Sequence, residues 1–355
     1  MIENNSNISI EIEKNKFIFY EGETINGSIQ FENLPNIFNY IKINLVQEEY
    51  FFQESKNQKI EKKICINSKI IEMIEPKKYN FSIEIPENIN SSFEYPGNNF
   101  NLYIRYYLLF EYLSNNYVNK KLIIIRSVKK FSSSIFMQFG GSVYKFLFVN
   151  YGNCFASIKL QRDNFKMGEM IFFSLNINNE TSINIKNVKI NLIREINIKN
   201  TKGIINEKYT LSKCIIHWNI SSHTISDCNF SLKLQDKELK DLNFEKWNFK
   251  YKKDIDIQNL LTSVSSDLFE CKYFLKVTIY FSSFVKYNCR PRIIIPIYVC
   301  HKTSKDFEEE KQKEKDEEKK LEFNITDISS IIIDKKNKEE SNFIDEDIFE
   351  EDDLE

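Results

Sequence analysis

Cys214, His217, His223 and Cys228 form the one group in this sequence whose residue types could hold a metal, since two thiolates and two imidazoles make a zinc site of the Cys₂His₂ kind. Their spacing works against that reading. The stretch around Cys214 and His217 alternates apolar and polar residues as a strand does, and an odd separation on a strand sends two side chains to opposite faces. The four read instead as buried thiols and surface imidazoles, so no metal and no other cofactor is expected. Catalysis has little to work with. The chain holds three histidines (217, 223 and 301), no nucleophile elbow and no phosphate-cradling glycine loop, and Gly140-Gly141 fits neither nucleotide motif. The protein is not expected to be an enzyme.

Binding chemistry is better supplied. The net charge of -2 hides a split: residues 304–355 hold 9 Lys against 21 Asp and Glu, a net of -12, which leaves the preceding residues at +10. A basic body suits anionic partners, either phosphorylated segments or acidic lipid heads, while the acidic tail could fold back or serve as a solvated linker. No nucleic-acid partner is expected. Lys14, Lys16, Lys42 and Arg105 lie on or beside the first strands and are the candidate anion contacts. The competing reading is an ordinary strand edge on which Lys prevents aggregation.

These side chains need elements to hold them, and the chain organises around Phe165 to Ile193. Gly168-Glu169 opens an alternating run, Asn178-Asn179 turns the chain, and Val188, Ile190 and Leu192 alternate on the return, which makes an antiparallel hairpin. The pattern has an earlier copy in Gly22-Glu23-Thr24-Ile25 followed by Ile41 to Leu45. Gly22 and Gly168 should each enter a strand with positive φ, and Glu23 and Glu169 complete those turns. A second echo links Ser91-Ser92-Phe93 and Arg105-Tyr106 to Ser265-Ser266 and Lys272-Tyr273; Ile-rich strands follow at Leu122 to Ile125 and Ile293 to Ile297. The chain is thus expected to contain two copies of one β module. Strand spacing favours antiparallel sandwiches, with Asn88 to Phe93 the one short candidate helix in the first half.

On these residues the chain resembles the arrestins, and more closely the α-arrestin or arrestin-domain-containing branch. Phe165 to Leu192 is similar to the opening of an arrestin C-terminal domain, with its Gly-Glu turn, strand, Asn-Asn-x-Thr turn and Val-Lys-x-Ile strand. Phe81 to Pro86, Ser91 to Glu94, Gly97 and Ile104 to Tyr106 resemble late strands of an α-arrestin N-terminal domain. The resemblance implies two tandem immunoglobulin-like β-sandwiches with a disordered acidic tail: residues 1–131, a linker at 132–141, a second sandwich at 142–303 and a tail at 304–355. It also implies a non-catalytic adaptor that binds cytoplasmic tails of membrane proteins and links them to trafficking, endocytic or signalling machinery. Lys14 and Lys16 are the nearest equivalents of the lysines that hold receptor phosphates. Phe343, Ile344, Ile348 and Phe349 match in character the tail that docks on the N-terminal domain. The Pro-Pro-x-Tyr motifs that recruit ubiquitin ligases are absent. Two other roles share the expectation: a constitutive retromer-type coat subunit of the same fold, and a cytoskeletal or cortical scaffold.

The remaining composition agrees with a folded, non-secreted body. Hydrophobic residues make up 42% and aromatics 14% of the chain, enough for two cores. Seven scattered Cys do not suggest a disulfide framework. The polar start Met1 to Asn7 lacks a signal peptide's features, and no apolar run is long enough to span a bilayer, so a cytoplasmic protein with peripheral membrane contact is expected. Asp236 to Asp254, rich in Lys and containing Trp247, reads as an insertion.

Overall fold

Wherever apolar residues recur at every second position, the chain forms a strand with one buried face. The structure is a computed structural model that describes residues 8–31, 40–73, 78–96, 100–112, 117–127, 133–145, 149–200, 203–234, 261–283, 285 and 289–301. Among them there is no α-helix. The candidate helix at Asn88 to Phe93 is instead a turn, with Asn88 at φ 60°, leading into a strand that opens at Phe93. Six residues could not close enough turns to stabilise a helix alone.

In the first half, β1 (Ile8–Ile12), β3 (Thr24–Phe31) and β6 (Lys78–Glu84) make a three-stranded sheet in the order β1-β3-β6. It faces a larger sheet ordered β2 (Ile18–Tyr20), β9 (Tyr117–Arg126), β8 (Phe100–Tyr112), β4 (Tyr40–Gln53), β5 (Gln58–Glu72), with β7 (Phe93–Pro96) also on β8. Phe81 of β6 meets Phe110 of β8 edge-on at 5.6 Å, which ties the two layers together. In the second half, β10 (Ile135–Lys145), β11 (Val149–Leu160), β13 (Met170–Asn179) and β16 (Thr224–Lys233) form one layer in that order. The other is ordered β12 (Asn164–Lys166), β19 (Arg292–Cys300), β18 (Phe269–Phe281), β14 (Ile185–Asn200), β15 (Gly203–Ile220), with β17 (Val264–Ser265) also on β18. Trp218 of β15 meets Phe230 of β16 at 5.5 Å across these layers. On β13 the alternation buries Ile171, Phe173, Leu175 and Ile177, each stabilising by about 1.5–3 kcal/mol.

β10 begins at Ile135, inside the stretch expected to connect the halves. Ile135, Met137 and Phe139 lean on the core, and Gly140 and Gly141 continue the run in extended backbone at φ 146° and 156°, a region open to glycine. The glycine pair therefore prolongs a strand where sequence alone suggests a break. The expected insertion at 236–254 and the tail, including Phe343, Ile344, Ile348 and Phe349, lie outside the described residues.

The two sandwiches repeat one another's opening turn. Gly22 and Gly168 have φ 77° and 86°. The Gly22 amide donates to Ile85 O at 3.0 Å and that of Gly168 to Leu234 O at 2.7 Å. Ile85 and Leu234 return the bond to Glu23 O and Glu169 O, both at 2.8 Å. Glu23 Oε2 accepts the Tyr20 amide at 2.9 Å and Glu169 Oε2 the Lys166 amide at 2.8 Å. The second echo is real but slips in register. Ser92 Oγ accepts the Ile125 amide and Ser263 Oγ the Val299 amide, both at 2.9 Å, so the counterpart of Ser92 is Ser263 and not Ser266. Tyr106 Oη then donates to Asn90 O at 2.7 Å as Tyr273 Oη does to Leu261 O at 3.2 Å.

Both sandwiches belong to one compact unit, Met1–Thr303. Phe93 and Phe269 pack across their boundary at 5.2 Å, and the Lys62 ammonium pairs with the Asp267 carboxylate at the rim. Deeper in, the Arg194 guanidinium lies 4.8 Å from the ring of Tyr95 and 5.1 Å from that of Tyr209.

Candidate anion-docking site

The outer face of the three-stranded sheet is polar because its strands alternate: Glu11, Ser28 and Asn80 form one cross-strand row, and Asn26 and Ser82 another. A groove of about 660 Å³ runs over these rows. Gly27 lines it, and a Cβ there would come within 2.5 Å of both Glu11 O and the Phe81 ring. Three lysines line it, together with Glu11 and Glu13. Lys14 comes from a single 3₁₀ turn over Glu13–Asn15, held at φ 58°, a left-handed conformation costly for a side chain that is not glycine. Lys69 comes from the end of β5, where its Nζ donates to Ser82 Oγ at 3.3 Å. Lys78 opens β6 and lies 3.7 Å from Glu11 Oε2. Both Lys69 and Lys78 are exposed, so their pairings are weak and exchangeable. With the amides of Asn26 and Asn80 and the hydroxyls of Ser28 and Ser82, the groove offers the donors that a phosphate or carboxylate needs.

The expected basic set does not assemble there as a group. Lys16 is held by Glu23: its Nζ donates to Glu23 Oε2 at 2.7 Å and lies 4.9 Å from the Phe19 ring. The second half repeats this device, with Arg162 paired to Glu169 and set 5.2 Å from the Phe165 ring. A contact present in both copies belongs to the framework of the turn. Arg105 donates through Nε to the buried Glu94 at 2.8 Å and stacks 3.9 Å from the Tyr103 ring. Lys42 stands on β4, in the other sheet, opposite Glu111 of β8. Of the four, Lys14 alone lines the groove, and Lys69, Lys78, Asn26 and Asn80 join it. The alternation Lys78-Tyr79-Asn80-Phe81-Ser82 marked an outward polar face; nothing in the sequence marked that β5 would carry Lys69 across to it.

The metal candidates are separated. Cys214 is opposite Ile190 in one sheet and Cys228 opposite Leu175 in the other. His217 Nδ1 lies 2.8 Å from Asn187 Oδ1, and His223 occupies the turn between β15 and β16 at φ 55°. No group of three or more potential ligands gathers among the described residues. The Asn-Asn-x-Thr turn explains itself locally. Asn179, wholly buried, donates to Ile183 O and Ser221 O at 3.0 Å each and accepts from Thr181 Oγ1 at 2.6 Å, which locks two neighbouring turns together.

Residues 150–304, from β11 through β19, match the family described as arrestin (or S-antigen), C-terminal domain. Those residues form an arrestin C-terminal domain. A search of curated proteins returned no match. That domain is one of an arrestin-like family of adaptors. Among its described residues, no helix is long and apolar enough to cross a membrane.

Proposed function

We propose that this protein is a cytoplasmic adaptor of the α-arrestin kind, which uses the groove of Lys14, Lys69 and Lys78 to hold acidic or phosphorylated segments in the tails of membrane proteins. The observation that carries the reading is the convergence of three lysines from three different elements on one polar sheet face, beside a backbone strained at Lys14. Each charge-assisted hydrogen bond to phosphate contributes on the order of 1.5–3 kcal/mol, so two or three suffice for a phosphate-dependent dock. Transport, endocytosis and signalling are the processes such an adaptor serves. The tagged full chain, recovered from its own cells with and without phosphatase treatment, should bring down membrane proteins only when their phosphates are intact. Lys14→Ala, Lys69→Ala and Lys78→Ala together should abolish that capture.

A second reading, a constitutive coat subunit, draws on the packing of Arg194 with Tyr95 and Tyr209 and of Phe93 with Phe269, which suits two sandwiches held in one fixed arrangement. One large, stoichiometric partner that survives phosphatase would favour it over the adaptor.

A further inference from the structure

Tyr106 has one hydroxyl proton and two oxygen neighbours to share it. Its Oη lies 2.7 Å from Asn90 O and 2.9 Å from Gln47 Oε1, and Gln47 Nε2 lies 2.7 Å from Glu49 Oε1. The four residues form one hydrogen-bonded line in which Tyr106, Gln47 and Glu49 are all buried. Burial keeps Tyr106 protonated, so its proton serves one of the two oxygens at a time. Glu49 decides which. A carboxylate only accepts, so ionised Glu49 takes a bond from the Gln47 amide nitrogen; Gln47 Oε1 then takes the Tyr106 proton, and Asn90 O loses it. A protonated Glu49 donates to Gln47 Oε1 instead. The amide turns over, its Nε2 donates to Tyr106 Oη, and the Tyr106 hydroxyl turns to Asn90 O. The two amide orientations fill almost the same space, so this reversal needs no repacking.

We infer that Glu49 is a proton-operated switch: uptake of one proton from solvent reverses this line and closes the boundary between the two sandwiches. Both ends of the line lie at that boundary. Asn90 lines a groove of about 450 Å³ with Ser263, Val264, Tyr273 and Tyr298 of the second sandwich. The charged and titratable groups facing Glu49 are Lys62 of β5, Tyr106 of β8 and Asp267 in the turn before β18, with Ser266 beside it. Asp267 opposes a charge on Glu49. Lys62 favours one, but it is already paired with Asp267. Glu49 Oε2 is buried without a hydrogen-bond partner among the described residues, a costly state for an ionised group and a milder one for a neutral acid. Parting the sandwiches to admit water relieves the charge; a proton removes the need. The second sandwich lacks such a line. Its Tyr273 Oη donates to Leu261 O at 3.2 Å, and Arg194, which cannot accept, stands where Gln47 does.

Infrared spectra and hydrogen exchange of the full chain across pH test the inference, with Glu49→Gln as the reference that cannot ionise. The wild type should show a carboxylic-acid C=O stretch that Glu49→Gln lacks, titrating with a midpoint above the ordinary glutamate value of about 4.3. Protection of the Phe93 to Tyr95 amides, corrected for the intrinsic pH dependence of exchange, should fall about tenfold as pH rises through that same midpoint. In Glu49→Gln it should stay at its acid level throughout. Tyr106→Phe removes the shared hydroxyl, and should keep the carboxyl titration while losing the response at β7. Gln47→Leu cuts the line at its centre and should do the same, which covers a Tyr106→Phe chain that does not fold. A Glu49 carboxyl that titrates at or below the ordinary value overturns the inference. So does β7 protection that ignores the midpoint, or a β7 response that survives either cut in the line.

Discussion

Glu48 and Glu49 are neighbours on β4 that project to opposite faces of the sheet and shift their proton affinities in opposite directions. Burial pushes both carboxyls up. At Glu48, hydrogen bonds from Tyr103 at 2.8 Å and Lys120 at 3.2 Å overcome that effect and leave it below the usual carboxylate range. At Glu49 burial prevails over the hydrogen bond from Gln47 and the nearby Lys62, so its carboxyl is raised. Stability contributed by Glu48 is present above its unfolded pKa and is lost as pH falls through the lower folded value. Glu49 works the other way, and stability declines as pH rises from its unfolded pKa through the raised folded one. Glu48→Gln should therefore cost about 1–3 kcal/mol near neutrality, a deficit that shrinks on acidification. Glu49→Gln should match the wild type in acid and exceed it near neutrality. Urea unfolding at several pH values checks both, and parallel profiles for the two variants would refute the assignment.

The paired turns offer an internal control. Gly22→Ala and Gly168→Ala should each cost about 1 kcal/mol, because both residues have positive φ. At Gly22 the nearest atom to a new Cβ would be Glu87 Cγ at 3.6 Å, so the penalty there is backbone strain and not collision. Glu23→Ala and Glu169→Ala should add a similar loss through the abandoned Tyr20 and Lys166 amides, and the Gln variants, which still accept, should lose less. Unequal effects in the two halves would mean that the surroundings differ more than the hydrogen bonds suggest.

Much of this framework was legible before any coordinates. A glycine that must take positive φ followed by an acid is a local signal, and alternation is a local signal, so the two turns and most strands could be read. What failed was non-local. Ser265-Ser266 looked like the echo of Ser91-Ser92, but the equivalence is fixed by the bond to the last strand, and that places Ser263 opposite Val299. Lys16 and Arg105 are candidate anion contacts in the sequence, which does not show that Glu23 and the buried Glu94 bind them. Lys69 was overlooked because it reaches the groove only once β5 has run the length of the sheet.

The groove can be told from its neighbours by mutation. Lys69→Glu and Lys78→Glu should each weaken binding of a doubly phosphorylated peptide by about tenfold, an effect that fades with added salt. Lys16→Gln should leave that affinity unchanged while lowering stability slightly, because its charge serves Glu23. Loss of binding in the Lys16 variant with Lys69→Glu unaffected would move the site to the other side of β2.

Arg194 marks where the two copies part company. By register it stands opposite Tyr273 as Gln47 stands opposite Tyr106, so an arginine occupies in the second sandwich the place of a glutamine in the first. Gln47 serves its own sandwich, its side-chain amide lying 2.9 Å from Tyr106 Oη. Arg194, with 1% of its surface exposed, reaches across the boundary to Tyr95 and stacks on Tyr209 as well. A desolvated cation over two rings stabilises by about 2 kcal/mol, and glutamine cannot replace it. Arg194→Gln should therefore lower the unfolding free energy by at least that amount, and Arg194→Lys should recover only part, because the planar stacking is lost. If the arginine fastens one sandwich to the other, the Gln variant should also raise hydrogen exchange at Phe93 to Tyr95 before global unfolding. Exchange that rises only with global unfolding would make Arg194 a core residue of its own sandwich and not a fastener between the two.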